Sequence, residues 1–309
     1  MASTALSTAK QLLRPIAKYR FLIERAKFIG TPIADAGAGN DYLRDCLAAN
    51  RPTAAGKIGE VELGGLLRRL STAQAAEVDW GRHIQRMYLY AGVYPPSAEA
   101  MTRFCSAYSQ ALGDLDVLGV WFRFGENRLR KAYAPNAKSV LQRALEPYFH
   151  ERPWSAALEH KRVLVITPFA DTVRAQYARR ERIWPNSPSV LPEFHLDTLR
   201  CPLSAALTPP RFPDWSTALE AMQAEMSRRE FDVVLVGAGA WGLPLVAYAK
   251  RLGRSGIHLG GSTQILFGIR GARWDDKPAF QRFFNDAWVR PDDSDRPENF
   301  LQIENGCYW

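Results

Sequence analysis

FDVVLVGAGAWGLPLVAYAKRLGRSGIHLGG, residues 231–261, is the stretch of sequence that decides the fold. Residues 231–236 are mainly apolar and rich in β-branched side chains, which is typical of a strand buried on both faces. The glycine-rich GAGAWG follows, and then a helical pattern that ends before Gly253. Residues 256–259 form a second short apolar run. This order predicts one βαβ unit with a glycine turn at the start of its helix.

The glycine turn has the spacing GxGxxG. Backbone N–H groups at the start of a helix attract anions, so the turn favours a phosphate. A dinucleotide domain also needs an acid about 20 residues further on, to bind the adenosine ribose. His258 stands at that place. A NAD or FAD site, another phosphate site and a packing turn without a ligand stay open as alternatives. The predicted ligand-binding residues of the turn are Gly237, Ala238, Gly239, Ala240, Trp241 and Gly242.

A second loop follows His258 and contains two glycines and two hydroxyl side chains. Such a loop at the end of a strand is suited to contact an anion. The predicted ligand-binding residues here are Gly260, Gly261, Ser262 and Thr263. His258 either contacts a phosphate, moves a proton or is a hydrogen-bonded core histidine. Trp241 either stacks on a base or packs in the core.

The rest of the chain repeats the strand–turn–helix pattern. A compact apolar run at 163–167 precedes a predicted helix that extends to residue 182. Further strands are predicted at 118–124 and 196–199, and helices at 140–149, 216–228 and 97–112, the last with Ser97 as its N-cap. Alternation of strands and helices predicts an α/β fold with a Rossmann-like, mostly parallel sheet and helices on both faces. We divide the chain into a helical N-terminal extension, 1–50, and a Rossmann-type domain, 51–309.

Two acids lie at another predicted strand-to-helix turn, in the sequence KIGEVEL at 57–63. Glu60 and Glu62 follow Gly59, itself a predicted ligand-binding residue, and are separated by one residue. Carboxylates suit hard cations such as Mg²⁺ or Mn²⁺, which often bridge to substrate phosphates. The pair is therefore a candidate metal site with a catalytic role, and a solvated pair is the alternative.

Composition limits the class of protein. The 309 residues carry a formal charge of +8 and include four cysteines without a CxxC pair. The cysteine spacing indicates neither a zinc site nor a disulfide framework, which favours a reducing, cytoplasmic compartment. We find no apolar run long enough to span a membrane. The basic residues form no stripe interleaved with aromatic side chains, so we do not expect nucleic acid as a partner.

The first 23 residues contain no acid but carry Lys10, Arg14, Lys18 and Arg20. Their apolar residues recur at helical spacing, and residues 5–28 are predicted to be helical. An amphipathic first helix of the fold is favoured. The alternatives are a transit peptide and a basic helix that rests on an anionic membrane, which would make the protein peripheral to the inner membrane face.

Four segments together resemble bacterial glycosyltransferases of the GT-D fold. They are KIGEVE at 57–62, VLVITPFADTVRAQYARRERIW at 163–184, VLVGAGAWGLPLVAYAKRLGRSGIHLGGSTQILFGIRGARW at 234–274, and GCYW at 306–309. The resemblance extends over roughly residues 55–309, and the long block at 234–274 is its most specific part. These enzymes take part in polysaccharide and glycoprotein glycan assembly.

The resemblance implies a nucleotide-sugar donor, UDP-linked in our expectation, and a glycan, glycoprotein or lipid-linked acceptor. The D-x-E motif of the family, which serves the metal and the donor, falls on Glu60, Val61 and Glu62. Here the first acid is Glu in place of Asp, and Val stands where Gly is frequent. The glycine turn would form part of the nucleotide-sugar cleft. A NAD-dependent oxidoreductase and a non-catalytic scaffold of a glycan-assembly complex are the alternative functions.

Overall fold

The computed structural model of the protein describes residues 19–72, 78–202 and 211–309. These residues contain eight strands: β1 Ile33–Ala34, β2 Ala54–Gly56, β3 Val117–Val120, β4 Lys138–Leu141, β5 Arg162–Thr167, β6 His195–Arg200, β7 Val233–Val236 and β8 Ser255–His258. They form one sheet in the order β1-β4-β3-β2-β8-β7-β5-β6, and each neighbouring pair is parallel. The predicted α/β class with a Rossmann-like parallel sheet is confirmed.

Helices connect the strands. The longer ones are α1 Ala36–Ala48, α2 Glu60–Ser71, α3 Ala98–Gly113, α4 Glu126–Tyr133, α5 Ala170–Tyr177, α6 Trp215–Ser227 and α7 Gly242–Arg251. Shorter helices are His83–Arg86, Arg180–Ile183, Ser262–Leu266, Ala272–Asp275 and Pro278–Gln281, and residues 19–26 are also helical. Turns of 3₁₀ helix include Gln142–Leu145, Pro147–Phe149 and Gly239–Trp241.

Both faces of the sheet are buried because successive side chains of a strand point to opposite faces. On one face Leu164 and Ile166 of β5 join the core that α2, α3, α6 and α7 cover. On the other face Val163 and Val165 join the core that α1 and α5 cover. This double burial explains why β5 and β7 read as continuous apolar runs.

Local signals mark the ends of two helices as the sequence indicates. The side chain of Ser97 accepts a hydrogen bond from the N–H of Ala100 and caps α3. Gly253 follows α7 with φ +73°, a conformation that favours glycine after a helix.

The two halves of the sheet meet where β2 pairs with β8, Ala54 opposite Gly256 and Ala55 opposite Ile257. From β2 the chain continues to β3 on one side, while β8 lies on the other. From β5 it continues to β6 on one side, while β7 lies on the other. Loops that diverge in this way leave a crevice at the carboxyl edge of a parallel sheet, the usual place of a ligand.

The prediction of a helix at 140–149 is wrong. Strand β4 ends at Leu141, and two 3₁₀ turns follow it. Periodicity cannot separate a short buried strand from a helix segment when an apolar run is this brief.

Residues 33–48 add the edge strand β1 and the core helix α1 to the same sheet. The boundary at residue 50 stays a prediction, and the part of the predicted first helix at 1–18 lies outside the described residues. No helix of the described residues is long and apolar enough to cross a membrane. All four cysteines are buried and none is in a disulfide.

Candidate functional site

A cleft of about 790 Å³ opens at the carboxyl edge of the sheet. The loops after β2, β5, β7 and β8, four adjacent strands, line it. The crevice between β5 and β7, whose connections leave in opposite directions, opens into this cleft. Its volume falls within the range of pockets that bind small molecules and cofactors.

The glycines of the turn after β7 have three separate structural roles. A Cβ on Gly237 would lie 2.7 Å from Oγ1 of Thr263, so only glycine fits there. Gly239 has φ +50°, in the left-handed region. A Cβ on Gly242 would overlap the ring of His258. Packing and backbone conformation therefore account for the three glycines of the GxGxxG spacing without a ligand. Part of the turn also lines the cleft, namely Gly237, Ala238, Gly239 and Trp241.

His258 ends β8 and is 3% exposed. Its Nδ1 lies 3.2 Å from the carbonyl oxygen of Val236, and its ring packs against Gly242. Burial lowers the pKa of His258 to about 3, and the charge of Lys57 adds to this effect. The ring is therefore neutral near pH 7. These contacts favour a core histidine over a catalytic one, and the catalytic role stays a prediction.

Trp241 is also packed rather than presented to a ligand. It is 3% exposed, and its ring stacks on Trp215 with centroids 6.3 Å apart and planes at 16°. Its Nε1 donates to the carbonyl oxygen of Trp215 at 3.4 Å. The packing interpretation of Trp241 is therefore the better supported one.

The predicted acids begin α2, with Gly59 as the N-cap residue. Glu60 is exposed, and its Oε2 lies 3.4 Å from Nη2 of Arg123. Glu62 is 7% exposed, and its carboxylate folds back on Gly59, where an added Cβ would collide with it. Burial raises the pKa of Glu62, while its own backbone and the charge of Lys57 act in the opposite direction.

The two carboxylates line one cleft but belong to no larger ligand set. Within 19–72, 78–202 and 211–309, no group of three or more His, Cys, Asp and Glu side chains could hold a metal ion. Glu60 and Glu62 therefore offer two ligands at most. Mg²⁺ is commonly held by one or two carboxylates together with substrate phosphates and water. The divalent cation stays a prediction that requires a bound phosphate ligand.

Lys57 follows β2 and lines the cleft. Its Nζ lies 4.8 Å from the centroid of the Trp121 ring. In the described part of the chain, no carboxylate oxygen lies within 4.0 Å of this nitrogen. Burial lowers the pKa of Lys57; two nearby glutamates oppose this shift, and Arg273 and Arg123 reinforce it. A partly buried cation with no carboxylate in direct contact is costly, so an anion bound against it in the cleft would stabilise it.

The loop after β3 brings Trp121 and Arg123 into the cleft. The carboxylate of Glu126 holds this loop, since it accepts from the N–H of Trp121 at 3.3 Å and of Arg123 at 3.0 Å. Burial raises the pKa of Glu126 to about 7. The Arg123 guanidinium lies over the Trp121 ring, 4.5 Å from its centroid. The Trp121 Nε1 is buried and has no hydrogen-bond partner among the described residues.

Residues 303–309 form another wall of the cleft. The N–H of Arg273 donates to the carbonyl oxygen of Cys307 at 2.8 Å, which fixes this segment beside the loop after β8. The Arg273 guanidinium lies 4.5 Å from the centroid of the Tyr308 ring and forms an ion pair with Glu304. Arg273, the second cation of the cleft, is therefore already paired with a carboxylate of the same chain, that of Glu304.

Most of the predicted site residues lie together. The cleft is lined by Gly59, Glu60, Glu62, Gly237, Ala238, Gly239, Trp241, His258, Gly260, Gly261 and Thr263. Three predicted residues do not line it. Ala240 is buried in the core, Gly242 packs against His258, and Ser262 donates to Oε1 of Glu146 at 3.1 Å.

Several basic and aromatic residues of the cleft were not predicted from the sequence. Among them are Lys57, Trp121, Arg123, Arg273 and Tyr308. Lys57 directly precedes the motif with the two acids, which is the only signal that points to it. The other four come from distant loops, and nothing in the sequence separates them from the other residues of their types.

Comparison of the chain with protein-family models, with curated proteins and with solved structures finds no match. The resemblance to GT-D glycosyltransferases therefore stays a prediction.

Proposed function

We propose that the protein is a cytoplasmic glycosyltransferase that moves a sugar from a nucleoside-diphosphate donor, UDP-linked in our prediction, to a glycan, glycoprotein or lipid-linked acceptor. One observation gives the main support. The partly buried ammonium of Lys57 lies without a carboxylate partner, among the described residues, in a cleft that the glycine turn also lines. A diphosphate would supply the missing negative charge.

Three features of the cleft would bind the parts of such a donor. Lys57 and Arg273 would contact the diphosphate, Arg273 by exchanging Glu304 for a phosphate oxygen. The N–H of Gly237 already donates to the carbonyl oxygen of Ile166 at 2.8 Å, so the backbone N–H groups at 238–239 would add the fixed dipoles. The Trp121 ring would hold the Lys57 ammonium and the Arg123 guanidinium in place beside the donor.

The proposed reaction breaks the bond between the anomeric carbon and the diphosphate oxygen. An acceptor hydroxyl forms the new bond to that carbon and loses its proton. The diphosphate keeps the bonding electron pair, and the cations of the cleft would stabilise its charge. Glu62 is the base that we propose for the acceptor proton, because it lines the cleft and burial raises its pKa. If a divalent ion takes part, Glu60 and Glu62 would hold it together with phosphate oxygens, and it would add positive charge there.

The alternative functions have weaker support. A NAD-dependent oxidoreductase needs an acid at the end of β8, and the buried His258 stands there. A scaffold without catalysis would bind the nucleotide and show no turnover.

Donor hydrolysis and transfer by the E60Q and E62Q variants test the proposal, with a panel of UDP-sugars and with or without Mn²⁺ or Mg²⁺. Glu99→Gln is the matched control, since Glu99 also lies in the first turn of a helix but outside the cleft. We expect E62Q to lose about 100-fold in rate, the usual contribution of a general base. Full activity of both variants would remove the acids from the mechanism. Thermal stabilisation by NAD and not by UDP would overturn the proposal.

A further inference from the structure

The helical residues 19–26 present an apolar stripe to solvent. Tyr19, Leu22 and Ile23 recur at the i, i+3, i+4 spacing of one helix face, and their exposed fractions are 72%, 50% and 50%. Ile29 and Phe124 lie in the adjoining segments and are 86% and 61% exposed. Exposed apolar side chains that share one helix face mark contact with a membrane or another molecule.

The opposite face of this helix is anchored to the protein. The rings of Phe21 and Phe28 each meet the Phe122 ring edge-to-face at 5.4 Å. Oε2 of Glu24 accepts a hydrogen bond from the N–H of Gly125 at 3.1 Å. The fold therefore holds the helix in one orientation, with the stripe outward.

The exposed charges beside the stripe have one sign. Arg20 and Arg25 are exposed cations, whereas the charge of Lys27 is already paired at 2.6 Å with Glu24, the 4% exposed acid of this segment. The preceding 18 residues of the sequence also contain basic residues and no acid. An apolar stripe flanked by cations matches the acyl boundary and phosphate headgroups of an anionic membrane.

We propose that this surface, formed by Tyr19, Leu22, Ile23, Ile29 and Phe124, docks the protein on an anionic lipid membrane. A tyrosine at the edge of the stripe suits the headgroup level. The apolar side chains insert at the acyl boundary, and the flanking cations attract the lipid phosphates. A protein partner with an acidic, apolar groove is the competing occupant.

The loop after β3 contacts both the helix that carries the membrane-docking surface and the cleft. Phe122 packs under the helix, while its neighbours Trp121 and Arg123 line the cleft. Docking therefore brings the cleft close to the bilayer and selects an acceptor carried by lipid. This choice of acceptor rests on the proposed function, whereas the docking itself does not.

Co-sedimentation of the full chain with vesicles tests the docking without any donor or acceptor. We expect binding to vesicles of phosphatidylcholine mixed with phosphatidylglycerol, weaker binding to phosphatidylcholine alone, and a loss of binding as salt is raised. The L22S/I23S variant should bind about tenfold more weakly, since two half-exposed apolar side chains are removed. Leu301→Ser is the matched control, because Leu301 is 63% exposed and lies outside both the surface and the cleft.

The outcomes separate the alternatives. Absence of wild-type binding, or equal binding by wild type and L22S/I23S, overturns the proposal. Capture of an acidic protein by the wild type without vesicle binding assigns the surface to a protein partner and also overturns it. Thermal unfolding of the variants checks that they are folded. Transfer to a lipid-linked acceptor in vesicles, compared with donor hydrolysis in their absence, separates failure of docking from failure of the transferase.

Discussion

Replacement of Lys57 by Met tests whether the cleft is built around an anion. The folded protein carries a partly buried ammonium with no carboxylate within 4.0 Å among the described residues. Removal of a buried charge without a partner is neutral or stabilising, so the free energy of unfolding of K57M should be unchanged or higher by about 1 kcal/mol. The pKa of Lys57 is lowered in the folded state from 10.5. Wild type therefore gains stability as the pH rises from the lowered pKa towards 10.5, and K57M lacks this gain.

The same change should weaken nucleotide binding. A hydrogen bond to a charged group contributes about 1.5–3 kcal/mol, which corresponds to about 10- to 150-fold in the dissociation constant of UDP. Loss of affinity together with retained stability identifies a residue that serves a ligand rather than the fold.

Isothermal titration with UDP and urea unfolding of the protein without ligand measure the two effects. Lys277→Met is the control, since Lys277 lines the same cleft but is exposed, and its loss should change affinity by about fivefold at most. Wild-type UDP affinity in K57M, or a clear loss of its stability without ligand, would refute the argument.

Three further predictions concern the walls of the cleft. Glu126 has a raised pKa of about 7 against 4.5, so its stabilising contribution is complete below pH 4.5 and is lost as the pH rises to about 7. Between pH 4.5 and 8 the unfolding free energy should fall by about 3 kcal/mol more in wild type than in E126Q, and parallel urea curves for the two would contradict this. Gly242→Ala should cost about 1–3 kcal/mol, because its Cβ overlaps the His258 ring. The added change His258→Ala should recover part of that cost in a double-mutant cycle, and strict additivity would exclude this contact as the cause. Glu304→Gln releases Arg273 and should tighten UDP binding about twofold to fivefold in the same titration, whereas weaker binding would show that Glu304 positions Arg273.

The sequence predicts the parts of this fold whose signals are local. The β-branched runs of β5 and β7, the glycine turn and the Ser97 cap each follow from a few adjacent residues. It also predicts that Glu60 and Glu62 lie in one site with the glycine turn; both acids line the cleft together with Gly237, Ala238, Gly239 and Trp241, and their function stays a prediction.

Two features could not be predicted, for physical reasons. The pairing of β2 with β8 joins residues about 200 positions apart and leaves no periodic pattern in the chain. The cations of the cleft come from separate loops and become a set only when the sheet closes. The ion pair of Glu60 with Arg123 and the inward fold of Glu62 depend on those same contacts, so the spacing of the acids alone could not reveal how they point.

The place of β8 in the sheet has a consequence for synthesis of the chain. Strand β8 lies between β2 and β7, so β2 has an open edge until residues 255–258 have left the ribosome. An open strand edge is a template for wrong pairing with other chains. Parallel pairing over such sequence distances also forms slowly. During most of translation the sheet therefore lacks β8, the strand that joins β2 to β7. This strand is synthesised only after more than 250 residues.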